Sequence, residues 1–122
     1  GLGDVYKRQI YNNPKSIYVA NRLGSPKINI LNRTTLNTSS PDKASQLGLR
    51  PEHIKIGEGE LSGSIKTVES LGAETVVELD FNGAEILSLY QGAFQGQKGD
   101  KVNFAIDQNK ILFFDEKGIS VQ

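Results

Sequence analysis

The feature that most constrains this chain is a regular alternation of apolar and polar residues on either side of an Asn-Gly pair. Val77, Leu79 and Phe81 alternate with acidic residues, and a second apolar run at 86–90 follows the Asn-Gly pair at 82–83. A period of two is typical of a β-strand with one buried face. An Asn-Gly pair joins two such strands well, because both residues of the turn must accept a positive φ. The sequence therefore predicts an antiparallel hairpin here.

Further alternating runs extend the β pattern over the rest of the chain. Residues 61–66 alternate, and so do residues 102–106, which a Gln-Asn pair joins to an apolar run at 111–114. We expect this last pair to form a second hairpin, with the glycine-rich stretch 91–100 as the loop between the hairpins. Five or six short strands, with no helix after residue 25, indicate a mainly β chain that forms a small barrel or sandwich. Phe113 and Phe114 face opposite sides of their strand, which predicts that its second face is covered by further structure or an interface.

The first third of the chain has a different character. The net charge of the chain is zero, but residues 1–40 carry a net charge of +5 and the remainder a net charge of −5. Asn13 and Pro14 suit the start of one short helix, with Ile17 and Ala20 at helical spacing, and Gly24 suits its end. Residues 28–31 indicate a brief strand. The almost entirely polar stretch 32–46 predicts a linker or a long exposed loop.

Composition and motifs exclude most catalytic chemistry. The chain has no cysteine and one histidine, so disulfides, iron–sulfur clusters, thiol nucleophiles and multi-histidine metal sites are excluded. The sequence has no phosphate-binding loop with its lysine. His53 is the one available imidazole base, and the sequence has no G-x-S-x-G motif whose serine it could activate. Four carboxylates around the first hairpin could pair as acid and base, namely Glu74, Glu78, Asp80 and Glu85. Glu78 and Asp80 are two residues apart on the outer face of a strand, where charged residues keep an edge soluble. We therefore expect no catalytic residue, bound cofactor or metal in this chain.

Two further features are absent from the sequence, a methionine and a long apolar stretch. No methionine is present, even at position 1, which favours a processed protein or a fragment of a larger polypeptide. No stretch approaches the roughly 18 apolar residues that a membrane-spanning helix requires.

Several ordered motifs resemble the end of the ATPase domain and the region after it in sugar-type ABC importers, of the maltose and glycerol-phosphate type. Residues 49–54 (LRPEHI) are similar to the family's GIRPEHI, and residues 68–74 (VESLGAE) to its VExLGxE. Residues 98–102 (KGDKV) and 114–118 (FDEKG) follow in family order. The remaining matches lie in the first third: QIYNNP at 9–14, VA at 19–20, LGSP at 23–26 and INIL at 28–31.

The resemblance implies a division of the chain. Residues 1–31 would be the terminal fragment of an ABC ATPase domain, with residues 1–8 matching no family pattern and so a candidate non-native start. Residues 32–46 would be the linker or exposed loop, and residues 47–122 a TOBE regulatory domain, which has an OB-like β-barrel. The expected fold is thus a small OB-like (TOBE) β-barrel preceded by one short helix.

The resemblance also implies function. This chain would be a non-catalytic accessory domain that mediates subunit pairing and regulation, while ATP and Mg would bind in the missing ATPase domain. Its partners would be that domain, a second copy of the ATPase subunit and, indirectly, the importer's membrane subunits, at the cytoplasmic face of the plasma membrane. Asn29, Arg50, Glu52 and Glu74 are the candidate domain or subunit contacts.

Two other functions stay open on the residues alone. A stand-alone TOBE module could hold a small oxyanion between paired domains through backbone N–H groups with Ser or Lys. An OB-fold could bind single-stranded nucleic acid, but the net charge of −5 over residues 41–122 argues against this partner.

Overall fold

The computed structural model describes residues 11–22 and 26–122, and within them one short helix precedes a mainly β structure. The helix α1 spans Ile17–Arg22. The strands are β1 (Asn29–Asn32), β2 (Gln46–Leu49), β3 (Ile54–Ser70), β4 (Glu74–Phe81), β5 (Ala84–Gln91), β6 (Lys101–Ile106) and β7 (Leu112–Phe114). Short 3-10 turns lie at Arg33–Thr35, Pro51–His53 and Gln108–Lys110. This confirms the expected fold class.

The strands form two antiparallel sheets. One sheet has the order β1-β2-β7, and the other has the order β5-β4-β3-β6. The 17-residue strand β3 pairs with both β4 and β6. The apolar faces of the two sheets enclose one core, in which Leu47, Leu79 and Phe104 are fully buried. Alternation along the strands thus separates a buried face from a wet one.

The first predicted hairpin is confirmed. Strands β4 and β5 pair in register up to Phe81 and Ala84. The two turn residues between them have positive φ, +52° at Asn82 and +86° at Gly83. This is the conformation that a two-residue hairpin turn needs to match the twist of its strands.

The second predicted hairpin is wrong. Strand β6 pairs with β3 and strand β7 pairs with β2, so the two runs lie in different sheets. Between them Gln108–Lys110 forms a 3-10 turn whose first N–H groups need partners, and the Asp107 carboxylate accepts from the Asn109 N–H at 3.1 Å. The capped turn redirects the chain, whereas a two-residue hairpin would require positive φ at both positions.

The helix start also differs from the prediction. Helix α1 begins at Ile17 rather than at Pro14, and Ser16 Oγ accepts from the Val19 N–H at 3.2 Å. The Ile17 N–H donates to the Gly118 carbonyl at 2.8 Å, so the C-terminal segment sets where the helix begins. The predicted helix end at Gly24 lies outside the described residues.

The predicted cover over the second face of β7 is present. Phe114 is fully buried against Ala20 and Ile28, on the side of the three-stranded sheet where α1 packs. Its neighbour Phe113 packs on the opposite side, against the main core. The three-stranded sheet is therefore covered on both faces.

The polar stretch 32–46 connects β1 to β2, which are neighbouring strands in one sheet. Leu36 and Ala44 within it are buried, and Arg33 Nη1 donates to the Ala44 carbonyl at 3.1 Å. The division of the chain into an ATPase fragment and a TOBE domain on either side of this stretch stays a prediction. In the structure, the stretch lies between two strands that pair with each other.

Strand β3 contains a bulge of four residues opposite β6. Phe104 of β6 faces both Ile56 and Leu61, which leaves residues 57–60 as extra residues on β3. Two glycines in the bulge have positive φ, Gly57 at +95° and Gly59 at +79°. They differ in surroundings. A Cβ at Gly59 would lie 2.7 Å from the Phe104 carbonyl oxygen, whereas a Cβ at Gly57 would meet nothing within 4 Å.

This pair separates backbone strain from steric clash. We expect Gly57→Ala to lower the free energy of unfolding by about 1–2 kcal/mol, from the positive φ alone. Gly59→Ala should cost about 1–3 kcal/mol more, because its Cβ also collides with the β6 backbone. Urea denaturation of the two variants measures the difference, and equal losses would contradict the proposed close approach of β3 and β6.

Candidate functional site

The side chain of Asn29 joins the edges of the two sheets. It lies on the edge strand β1 and is 6% exposed. Its Oδ1 accepts from the Leu87 N–H at 2.7 Å, and its Nδ2 donates to the Leu87 carbonyl at 2.9 Å, both on the edge strand β5. Nδ2 also donates to the Leu49 carbonyl at 3.0 Å. One amide side chain thus reproduces the paired hydrogen bonds of an antiparallel ladder between sheets that share no strand.

Arg50 attaches the N-terminal segment to the barrel. It follows β2 directly and is 2% exposed. Its Nη1 donates to the Ala20 carbonyl in the last turn of α1, and its Nη2 donates to the Tyr11 carbonyl, both at 3.2 Å. The guanidinium also stacks on the Tyr11 ring, with Cζ 3.9 Å from the ring centroid. Burial lowers the pKa of Arg50 from its ordinary value, but arginine stays charged at neutral pH.

Glu52 contacts the same tyrosine. It lies in the 3-10 turn Pro51–His53 and accepts a hydrogen bond from the Tyr11 hydroxyl. Arg50 and Glu52 therefore hold one aromatic side chain from two directions, by its ring and by its hydroxyl. We call these three residues the Tyr11 clasp.

Glu74 lies apart from the other predicted contact residues. It begins β4, after the far end of β3, while Arg50 and Glu52 precede the start of β3. Its carboxylate accepts from Gln91 Nε2 at 3.0 Å on β5. The structure thus brings Asn29, Arg50 and Glu52 together near the start of β3 and leaves Glu74 beyond the far end of that strand.

Tyr11 is the site residue that sequence reasoning missed. It stands in the QIYNNP motif, and an aromatic ring is a surface on which an arginine guanidinium can stack. The pairing could not be identified from the sequence, because 39 residues separate Tyr11 from Arg50.

His53 lies beside the clasp and is half-buried. Its Nδ1 is buried without a hydrogen-bond partner among the described residues. Desolvation is the main cause that lowers the pKa of His53, with Lys110 and Lys55 acting in the same direction, while Glu52 and Asp107 act against it. Burial therefore favours the neutral form of the imidazole.

The predicted outer-face carboxylates form an ordinary strand surface. Glu85 pairs with Lys66 across the sheet, and this contact raises the pKa of Lys66. In residues 11–22 and 26–122, no group of three or more His, Asp or Glu side chains is placed to hold a metal ion. No helix in the same residues is long and apolar enough to cross a membrane.

Removal of the Asn29 amide should strongly destabilise the barrel. Asn29→Ala deletes three hydrogen bonds and leaves the Leu87 N–H unsatisfied, so we expect a loss of about 2–4 kcal/mol in the free energy of unfolding. Asn29→Asp keeps the volume but loses both donated bonds, and should also destabilise. Asn103→Ala, on the exposed face of β6, is the matched control for urea denaturation. Equal stability of the Asn29 and Asn103 variants would contradict the role given to Asn29.

His53 should make the stability depend on pH. Since its pKa is lower in the folded state, the unfolded chain binds a proton more readily, and stability falls as the pH drops below about 6.5, the ordinary histidine value. His53→Gln removes this contribution and leaves that of the carboxylates. The difference in unfolding free energy between the two proteins, measured from pH 8 to pH 5, should therefore shift in favour of the variant as the pH falls. A constant difference would contradict the lowered pKa.

Comparison with known proteins assigns the sequence of this chain to a family. The family model of the TOBE domain matches residues 47–114, more than half of the chain. Three of the relatives that match illustrate the similarity, each over most of the chain. An sn-glycerol-3-phosphate import ATP-binding protein of Psychromonas ingrahamii is 33% identical over 88% of this chain and 35% of its own length. An α-glucoside transport ATP-binding protein of Rhizobium meliloti is 27% identical over 92% of this chain and 38% of its own length. A maltose/maltodextrin import ATP-binding protein of Vibrio cholerae is 25% identical over 90% of this chain and 37% of its own length.

The chain thus spans a little over a third of the length of these relatives, and it matches their C-terminal region. The matched segment runs from within β2 to the end of β7 and contains Arg50, Glu52 and Glu74. On this match the chain belongs to the TOBE domain family, in the form found in the C-terminal region of sugar-type ABC transporter ATP-binding proteins.

Proposed function

We propose that this chain is the non-catalytic accessory region of the ATP-binding subunit of an ABC importer for sugars or related solutes, and that it mediates subunit pairing and regulation. The names of the relatives support the class of solute, and the family match supports the accessory role. In this proposal ATP and Mg bind to an ATPase domain upstream in the same polypeptide. The subunit works as a homodimer with membrane subunits at the cytoplasmic face of the membrane.

The Tyr11 clasp is the observation that carries the mechanical part of the proposal. If residues 1–31 end the ATPase domain, then the clasp and Asn29 hold that end against the barrel through buried contacts rather than through a free linker. A motion of the ATPase body would then be passed to the barrel as a rigid displacement. Equally, a contact made by the barrel would restrain the ATPase body.

Pairing and regulation follow from this connection. A barrel-to-barrel contact that persists while the ATPase halves separate keeps their effective concentration high. A regulator that binds one dimer geometry better than the other shifts the equilibrium by the difference in its affinities. Glu74, beyond the far end of β3 from the clasp, is the candidate for the contact between subunits. Asn29, Arg50 and Glu52 are the candidates for the contact within one subunit.

The two roles predict different defects in the complete ATP-binding subunit. We expect Glu74→Ala to weaken the dimer by up to about fivefold, the effect of losing one exposed polar contact, with normal regulation of the remaining dimer. Tyr11→Ala should leave the dimer constant near wild type but abolish the regulated change in ATPase rate. Sedimentation velocity and ATP hydrolysis with the membrane subunits measure the two quantities.

Lys98→Ala is the matched surface control, since Lys98 is exposed in the loop before β6. Wild-type behaviour of both Glu74→Ala and Tyr11→Ala in the two assays would refute the proposed pairing and coupling. The coding sequence upstream of codon 9 provides an independent test. The proposal requires a P-loop and a signature motif there, and an isolated start codon would refute the subunit assignment.

A further inference from the structure

A cavity of about 310 Å³ lies where the N-terminal segment meets the barrel, beside the Tyr11 clasp. Its walls come from three parts of the chain: residues 11–13, the pair Arg50 and His53, and residues 109–112. Besides Tyr11, whose hydroxyl is bonded to Glu52, the polar side chains among its lining residues are Asn12, Asn13, Arg50, His53, Asn109 and Lys110. A volume of this size is at the lower limit of small-molecule sites.

The polar groups of the lining suit an anion. Two cations and three amides contribute to the wall, and no carboxylate does so among the described residues. The two acidic residues nearby are engaged elsewhere, Glu52 with the Tyr11 hydroxyl and Asp107 with the Asn109 N–H. Lysine and arginine carry only donors, and each amide adds two more. The wall is therefore rich in hydrogen-bond donors and positively charged.

His53 supplies a second, independent observation. Its Nδ1 is buried with no hydrogen-bond partner in the described part of the chain. A buried polar atom without a partner is unusual in native structures and calls for an explanation. Because the same side chain lines the cavity, a molecule bound there is a candidate partner for the ring.

We propose that this cavity binds a small phosphate monoester, with Lys110 as the main charge partner and with Asn109 and His53 as hydrogen-bonding groups. Phosphate fits better than carboxylate, because its three terminal oxygens accept more hydrogen bonds than the two oxygens of a carboxylate, and the wall offers many donors. The site lies within one chain, unlike an oxyanion site between paired domains.

The ligand would touch both the N-terminal segment and the barrel. Binding would therefore favour the arrangement in which the two are held together, by mass action on that state. The inference depends on the cavity and not on the proposed pairing or regulation, so either can fail without the other.

Calorimetric titration of the 122-residue chain in a phosphate-free buffer tests the proposal. The probes are inorganic phosphate, glucose 6-phosphate, acetate and glucose. We expect saturable binding of glucose 6-phosphate, weaker binding of inorganic phosphate, and none of acetate or glucose. Lys110→Gln should weaken binding by about tenfold or more, the effect of losing a charged hydrogen bond. Lys98→Gln, an exposed lysine outside the cavity, should bind as wild type does.

The chain has one histidine, so its ring resonances report directly on the site. The charged groups that act on His53 are Glu52 and Asp107, which favour its protonated form, and Lys110 and Lys55, which oppose it. A bound anion is a further negative charge that favours the protonated form. Saturating glucose 6-phosphate should therefore raise the titration midpoint of His53 in an NMR pH series. Glucose should leave the midpoint unchanged.

Three results would overturn the proposal. The first is no heat from either phosphate probe at millimolar concentration, and the second is equal binding of glucose and glucose 6-phosphate. The third is phosphate binding that Lys110→Gln leaves unaltered or that leaves the His53 titration midpoint in place, because the ligand would then lie elsewhere on the chain.

Discussion

The rest of the structure depends on the contact between Asn29 and the backbone of Leu87. The two sheets have no strand in common, and β1 and β5 each present an edge whose backbone groups need partners. Asn29 satisfies the N–H and the carbonyl of Leu87 with one side chain, and a further donor of the same amide reaches Leu49. Because buried backbone groups must be paired, this amide determines how closely the sheets approach and closes the barrel on that side.

Barrel closure in turn positions the Tyr11 clasp. The Asn29 amide holds the carbonyl of Leu49, and Arg50 is the next residue, so its guanidinium projects from a backbone that is already fixed. From there it reaches the carbonyls of Ala20 and Tyr11, while Glu52 takes the Tyr11 hydroxyl. A buried guanidinium is stabilised only where carbonyls or carboxylates meet it. The N-terminal segment supplies those carbonyls, and the cavity beside His53 is the space that remains where it packs.

Local patterns predicted some elements correctly and others not, for identifiable reasons. The hairpin at Asn82 was predictable because its turn chemistry and its flanking alternation agree. The run at 111–114 is apolar throughout and follows the alternating strand β6 closely, but its partner is β2, about 65 residues earlier in the chain. The Asp107 cap that separates it from β6 resembles ordinary loop sequence. The start of α1 was misplaced because a tertiary bond to Gly118 competes with the capping preference of Asn13.

The sequence by itself determined the β class, the buried face of each alternating strand and, through its ordered motifs, the family. These properties depend on neighbours within a few residues, and period and turn chemistry report them. Only the tertiary structure decided which strands pair within each sheet and that Tyr11 is the partner of Arg50 and Glu52. It also decided that Glu74 lies beyond the far end of β3 from those residues. The side-chain contacts of Asn29 and Arg50 join residues that are 20 to 58 positions apart, and the pairing of β2 with β7 spans a still longer separation. A side chain's type does not specify which distant carbonyl or ring it will meet.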